Sequence, residues 1–163
     1  MRAILALATL LLMPATAPAA DIVRHPLPGG STFPIAAAVE VPAGRTLVYL
    51  SGMVPTVADP EAPANTVAAY GDTRTQTLAV LAVIEKQLQA MGLGMGDVVK
   101  MQAFLVGDPA NGGKLDFAGF MQAYSQHFGT GAQPHLPARS TMQVAALVNP
   151  GFLVEIEVTA VRP

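Results

Sequence analysis

Arg139 stands in the stretch Leu136-Pro137-Ala138-Arg139-Ser140-Thr141, at the head of an expected strand that follows a proline-bounded loop. A guanidinium there offers a planar fork of donors that can grip a carboxylate through two bonds, a geometry Lys does not match. Most isolated arginines are surface or salt-bridging residues. Here the small, rigid neighbours and the strand-end position shift the balance toward a group presented to a pocket, without displacing the structural reading. Glu155 and Glu157 lie in Leu153-Val154-Glu155-Ile156-Glu157-Val158. Two residues apart on a strand, both carboxylates share a face. If Val154, Ile156 and Val158 turn to a core, that face meets solvent or another subunit. A carboxylate there is either part of a solvated charged face or a general base that holds a water.

Other chemistries find little support. His25, His127 and His135 stand at no metal-ligand spacing, and no carboxylate cluster completes a set. There is no glycine-rich phosphate loop, nucleophile elbow or dinucleotide fingerprint, and no histidine is evident as a base for Ser140. With no Cys, the chain has neither a thiol nucleophile nor a disulfide frame. The net charge is -2 and the nine Lys and Arg are scattered singly, which argues against a nucleic-acid partner.

Several elements must position Arg139 and the glutamates. Residues 21–34, rich in Pro and Gly, read as an irregular lead-in. Residues 36–41 and 46–51 read as two strands, and Pro42-Ala43-Gly44 between them suggests a hairpin. The segment 54–70 reads as a loop or a loop with a short turn. Asp72 is placed to cap a helix in which Leu78, Leu81, Ile84, Leu88 and Met91 form an apolar stripe, ended by Gly92 and Gly94. A strand over 97–106 follows, then a helix over 115–128 carrying Phe117, Phe120, Met121, Tyr124 and Phe128 on one side. Residues 138–146 and 153–161 are two further strands, turned by Asn149-Pro150-Gly151. The order β-β-α-β-α-β-β implies an α+β sandwich, with two helices packed on one face of a mixed sheet.

The chain has 163 residues, enough for one domain, and only 12% of them are charged, well below the usual share. So little charge suggests apolar surface covered by partner subunits, unless the Ala-rich composition and the first residues account for it; a symmetric ring would cover the second sheet face. Met1-Arg2, the apolar run Ala3–Met13 and the small residues Ala15–Ala20 read as a secretory signal peptide over residues 1–19, the alternative being an uncleaved anchor, for which the apolar run is short. Cleavage after Ala19 leaves residues 20–163 as a single domain. The expected location is periplasmic or secreted, with no membrane association after cleavage.

Taken together, Ser51-Gly52, Asp97-Val98-Val99-Lys100, Tyr124–Phe128, Pro137-Ala138-Arg139-Ser140 and Val154-Glu155-Ile156-Glu157 resemble the RidA/YjgF family of reactive-intermediate deaminases. The resemblance runs from about Pro34 to Arg162. It implies a chorismate-mutase-like fold assembled as a homotrimer, with cofactor-free sites in clefts between subunits. It also implies substrates of the 2-aminoacrylate type, enamines and imines hydrolysed to 2-oxo acids and ammonia. By resemblance Arg139 grips the substrate carboxylate and Glu155 positions the attacking water, while Gly52 and Thr141 line the same cleft. Thr141 stands where many members carry Cys. Phe33-Pro34-Ile35 stands where many carry a Tyr, Met121 stands where a helix Asn contributes, and the 54–70 loop is longer. Ile35 and Met121 thereby mark the part of the cleft expected to differ. The alternatives are a non-catalytic homotrimer that binds a small carboxylate or a partner protein, a chaperone-like client binder and, last, a ribonuclease.

Overall fold

The structure is a computed structural model that describes residues 21–163; the expected signal peptide lies outside the described residues. The framework is a four-stranded mixed sheet carrying two main helices on one face. Strand β3 (Leu47–Tyr49), β4 (Val98–Val106), β5 (Ala138–Val144) and β6 (Val154–Val161) are arranged in the order β3-β6-β4-β5. Only β4 and β5 run parallel; the other neighbours are antiparallel.

Helix α2 (Thr73–Ala90) begins where the Asp72 side chain accepts a hydrogen bond from the Thr75 amide at 2.8 Å. Its far end closes as a Schellman motif. The Gly92 amide reaches the Gln89 carbonyl, the Leu93 amide reaches the Leu88 carbonyl, and Gly92 supplies the left-handed φ of 72°. The buried stripe is Thr73, Gln76, Thr77, Val80, Leu81, Ile84 and Leu88, so the face turned inward is shifted from the one expected through Leu78. Helix α3 (Phe117–Tyr124) starts in the same way, with Asp116 accepting from the Gly119 amide at 2.9 Å. Val80, Leu81, Ile84 and Leu88 of α2 and Phe120 and Tyr124 of α3 pack on Met101, Ala103 and Leu105 of β4 and on Val154, Ile156 and Val158 of β6.

The expected hairpin of residues 36–41 with 46–51 does not form. Strand β2 (Ala38–Glu40) pairs antiparallel with β1 (Val23–His25), while β3 pairs with β6. Pro42 has no amide proton to extend a ladder at the turn. Both segments find better partners elsewhere. His25 Nε2 meets Glu40 Oε1 at 2.6 Å, and the Leu50 and Met53 amides donate to Val158 and Ile156 of β6. The lead-in is therefore partly ordered, and Arg24 fastens it by donating to the carbonyls of Gly96, Val98 and Leu136. The 54–70 segment carries one short helix, α1 (Val67–Tyr70).

One polar side chain in the core holds two regions in register. Gln76, fully buried on α2, donates to the carbonyls of Gly71 and Gly151 and accepts from the Leu153 amide at 2.7 Å. It thereby fixes the turn that feeds β6. Gln76→Leu removes the partner of two buried backbone groups, the Gly151 carbonyl and the Leu153 amide, and of the half-buried Gly71 carbonyl. We expect a loss of about 3 kcal/mol and a fall in Tm of roughly 10 °C, read by thermal denaturation; an unchanged Tm would contradict this role.

Candidate functional site

Arg139 is the second residue of β5. In the β4–β5 register it lies beside Met101, and Thr141 lies beside Ala103. Neighbours in register share a face, and Met101 and Ala103 are buried beneath the helices. Arg139 and Thr141 therefore project to the helix side. There the guanidinium rests against a ladder of aromatic rings. Its central carbon is 4.2 Å from the Tyr124 ring centre, 5.0 Å from Phe120, 5.5 Å from Phe33 and 5.9 Å from Phe117. The rings stack in sequence: Phe33 on Phe117 at 6.3 Å, Phe117 on Phe120 at 6.2 Å, Phe120 on Tyr124 at 5.9 Å and Tyr124 on Phe128 at 4.9 Å. The helical spacing of residues 117, 120 and 124 puts their rings on one side.

The negative ring faces stabilise the cation in place of a carboxylate. Among the described residues no acidic side chain comes within ion-pair distance of Arg139. Nη2 donates to the Met121 sulfur at 3.2 Å. Nη1 is buried and has no hydrogen-bond partner, and neither has the buried Thr141 hydroxyl. Burial lowers the Arg139 pKa from its usual value, against an opposing contribution from Tyr124. The Tyr124 phenol is pushed up to about 12 by burial, against the opposing Arg139 charge. Its hydroxyl donates to the Pro34 carbonyl at 2.8 Å, and the Ala36 amide donates to the Pro137 carbonyl at 3.0 Å. These two bonds bring the lead-in, and Phe33 with it, against the head of β5.

Glu155 belongs to the other side of the sheet. It lies beside Phe104, and Glu157 lies beside Gln102, on the face opposite the buried Val154, Ile156 and Val158. The strand is anchored there by reciprocal hydrogen bonds between Met53 and Ile156, at 2.9 and 3.0 Å. Gly52 packs directly beneath the Glu155 carboxylate, where a Cβ would overlap Oε1. Glu157 instead lines a cavity of about 410 Å³ with Tyr49, Ser51, Lys100, Gln102 and Thr159. Tyr49 on this face is 74% exposed.

The six residues singled out from the sequence thus fall into separate places. Arg139, Thr141 and Met121 are together on the helix side. Glu155 and Gly52 are together on the opposite side. Ile35 faces neither, and lines a groove with Arg24, His25, Ala36, His135 and Leu136. Phe33, two residues earlier, is the lead-in side chain that reaches Arg139. Phe33 and Phe117 were not among the expected site residues. The signal for Phe117 was present in the helix periodicity but reads equally as core. Among the described residues no group of three His, Cys, Asp or Glu could hold a metal ion.

Two variants test this geometry. Tyr124 keeps its proton in the folded chain to about pH 12, above its ordinary value of 10.0. The resulting stabilisation is complete below pH 10 and is lost as pH rises toward the folded value. Tyr124→Phe should therefore flatten the alkaline loss of stability seen by chemical denaturation; parallel curves for the two proteins would contradict the burial of this phenol. Gly52→Ala displaces only the flexible end of Glu155. It should shift stability by less than about 1 kcal/mol while lowering any Glu155-dependent activity as far as Glu155→Gln does.

The sequence model of the endoribonuclease L-PSP family matches residues 30–162. The 3-aminoacrylate deaminase RutC of Acinetobacter baylyi is 33% identical over 130 residues, covering 80% of this chain and 90% of that protein. Among solved structures, Escherichia coli TdcF with bound serine is 30% identical, with a TM-score of 0.56 over 82% of this chain and 92% of TdcF. The Rid-family protein YyfB of Yersinia pestis is 28% identical, with a TM-score of 0.58 over 77% of this chain and 85% of YyfB. With a family match across nearly all the described residues and a fold shared with these relatives, the chain belongs to the endoribonuclease L-PSP family, also called YjgF or RidA.

Proposed function

We propose that this chain is a hydrolytic deaminase of reactive enamines and imines, releasing 2-oxo acids and ammonia from a site between copies of the chain in a homotrimer. The observation that carries this reading is the partly buried Arg139 guanidinium, with Nη1 enclosed and no anion beside it among the described residues. A desolvated cation with a free donor is costly to maintain unless a ligand supplies the missing charge. A substrate carboxylate fits, accepting from Nη1 of Arg139 and from the Thr141 hydroxyl. The 3-aminoacrylate deaminase relative supports the choice of reaction.

In one chain Arg139 and Glu155 project from opposite sheet faces. Acting on one substrate therefore requires Arg139 from one copy and Glu155 from a second, and a closed ring supplies that pairing at every interface. In the proposed reaction Glu155 takes a proton from water as its oxygen bonds to the imine carbon. The protonated Glu155 returns that proton to the nitrogen of the carbinolamine, and as the C–N bond breaks the carboxylate takes the hydroxyl proton, so that ammonia leaves with the 2-oxo acid behind. Burial of Arg139 among rings favours a small flat acid over the exposed backbone of a polynucleotide. The leader-like first residues support export to the periplasm or medium.

The test is release of 2-oxo acid from imines generated in the assay by an amino-acid oxidase. Wild type should accelerate release. Arg139→Ala and Glu155→Gln should each lower kcat/KM about 100-fold or more, and Arg139→Lys should not restore it. No acceleration by wild type would overturn the deaminase reading. Arg139-dependent carboxylate binding without turnover would instead favour the non-catalytic ligand-binding homotrimer.

A further inference from the structure

The aromatic ladder is buried at one end and open at the other. Phe120, Tyr124 and Phe128 are almost wholly covered, whereas Phe33 and Phe117 are each 38% exposed. These two rings come from separate elements, the lead-in and the first turn of α3. Their planes lie 18° apart and both centres are within 6 Å of the guanidinium. Large apolar rings held at the surface beside an unsatisfied buried donor form the wall of a ligand site rather than an isolated exposed residue.

We infer that Phe33 and Phe117 form the side-chain subsite of this cleft and select carboxylates whose side chain ends in a flat apolar group, such as imino acids of the aromatic class. The inference rests on the proposed carboxylate site and deepens it by naming the substrate class. With its carboxylate on Arg139 Nη1, a ligand's side chain extends along the guanidinium toward the two open rings. A planar ring there gains both burial and offset stacking. A cationic side chain meets the Arg139 charge, and an acidic one must shed water against hydrocarbon. A methyl group leaves most of both rings in water.

Equilibrium binding of stable carboxylates tests this without turnover. Phenylacetate, propionate and succinate are titrated calorimetrically into wild type, Phe33→Leu, Phe117→Leu, Phe117→Tyr and Arg139→Ala. Phenylacetate should bind wild type about 10-fold more tightly than propionate. The Leu variants remain apolar but lack a flat ring, so they should reduce that preference to about 3-fold or less, and Phe117→Tyr should keep it. Arg139→Ala should abolish binding of all three. Equal affinities in wild type, or a preference undiminished in both Leu variants, overturn the subsite while Arg139-dependent carboxylate binding stands. Absence of any Arg139-dependent binding overturns the carboxylate site and this inference with it.

Discussion

The contact on which the arrangement depends is that of the Arg139 guanidinium with a ladder of aromatic faces. A partly desolvated cation normally holds an acidic partner, because removing one charge from water without another is expensive. Here ring quadrupoles and the Met121 sulfur provide the compensation, and neither neutralises the charge. The positive potential is therefore kept for something else. The rings are held by α3, which is capped by Asp116 and packed into the core, and by the lead-in, which is tied down by the Tyr124 hydroxyl. Much of the fold on the helix side thus bears on the environment of one side chain.

The second constraint is the parity of the sheet. Alternation along β5 and β6, with register fixed through β4, sends Arg139 and Glu155 to opposite faces. No rotamer change carries a side chain through a hydrogen-bonded sheet. Within one chain the two side chains therefore cannot act on the same small molecule. The helix-free face, with Tyr49, Phe104 and Met142 on it, is the kind of half-apolar surface that association covers. In the proposed reaction, association and catalysis would both follow from the same strand parity.

Much of the framework was legible in the sequence, because its signals are local. Asp72 before the stripe and Gly92 after it bracket α2, and Val154, Ile156 and Val158 alternate with glutamates along β6. The hairpin was misread because strand pairing depends on competing partners, and β6 and the lead-in outcompete the nearer segment. The choice between Phe33 and Ile35 was not legible either. These residues flank Pro34 at a bend closed by the Ile35 amide on the Phe33 carbonyl, and that bend is held by a hydrogen bond from Tyr124, ninety residues away. The division of Arg139 from Glu155 needed the register of three strands, which spacing within any one strand does not contain.

The claim that Arg139 and Glu155 meet only between copies is tested most directly by mixing two inactive variants. Arg139→Ala and Glu155→Ala chains are unfolded together in equal amounts, refolded, and assayed for imine hydrolysis. Random assembly into closed trimers makes about three quarters of the rings mixed, each with one interface that joins an intact Arg139 to an intact Glu155. Recovery of about a quarter of wild-type activity is the expected result. A mixture no more active than either variant alone, with trimers formed, would contradict a site shared between copies.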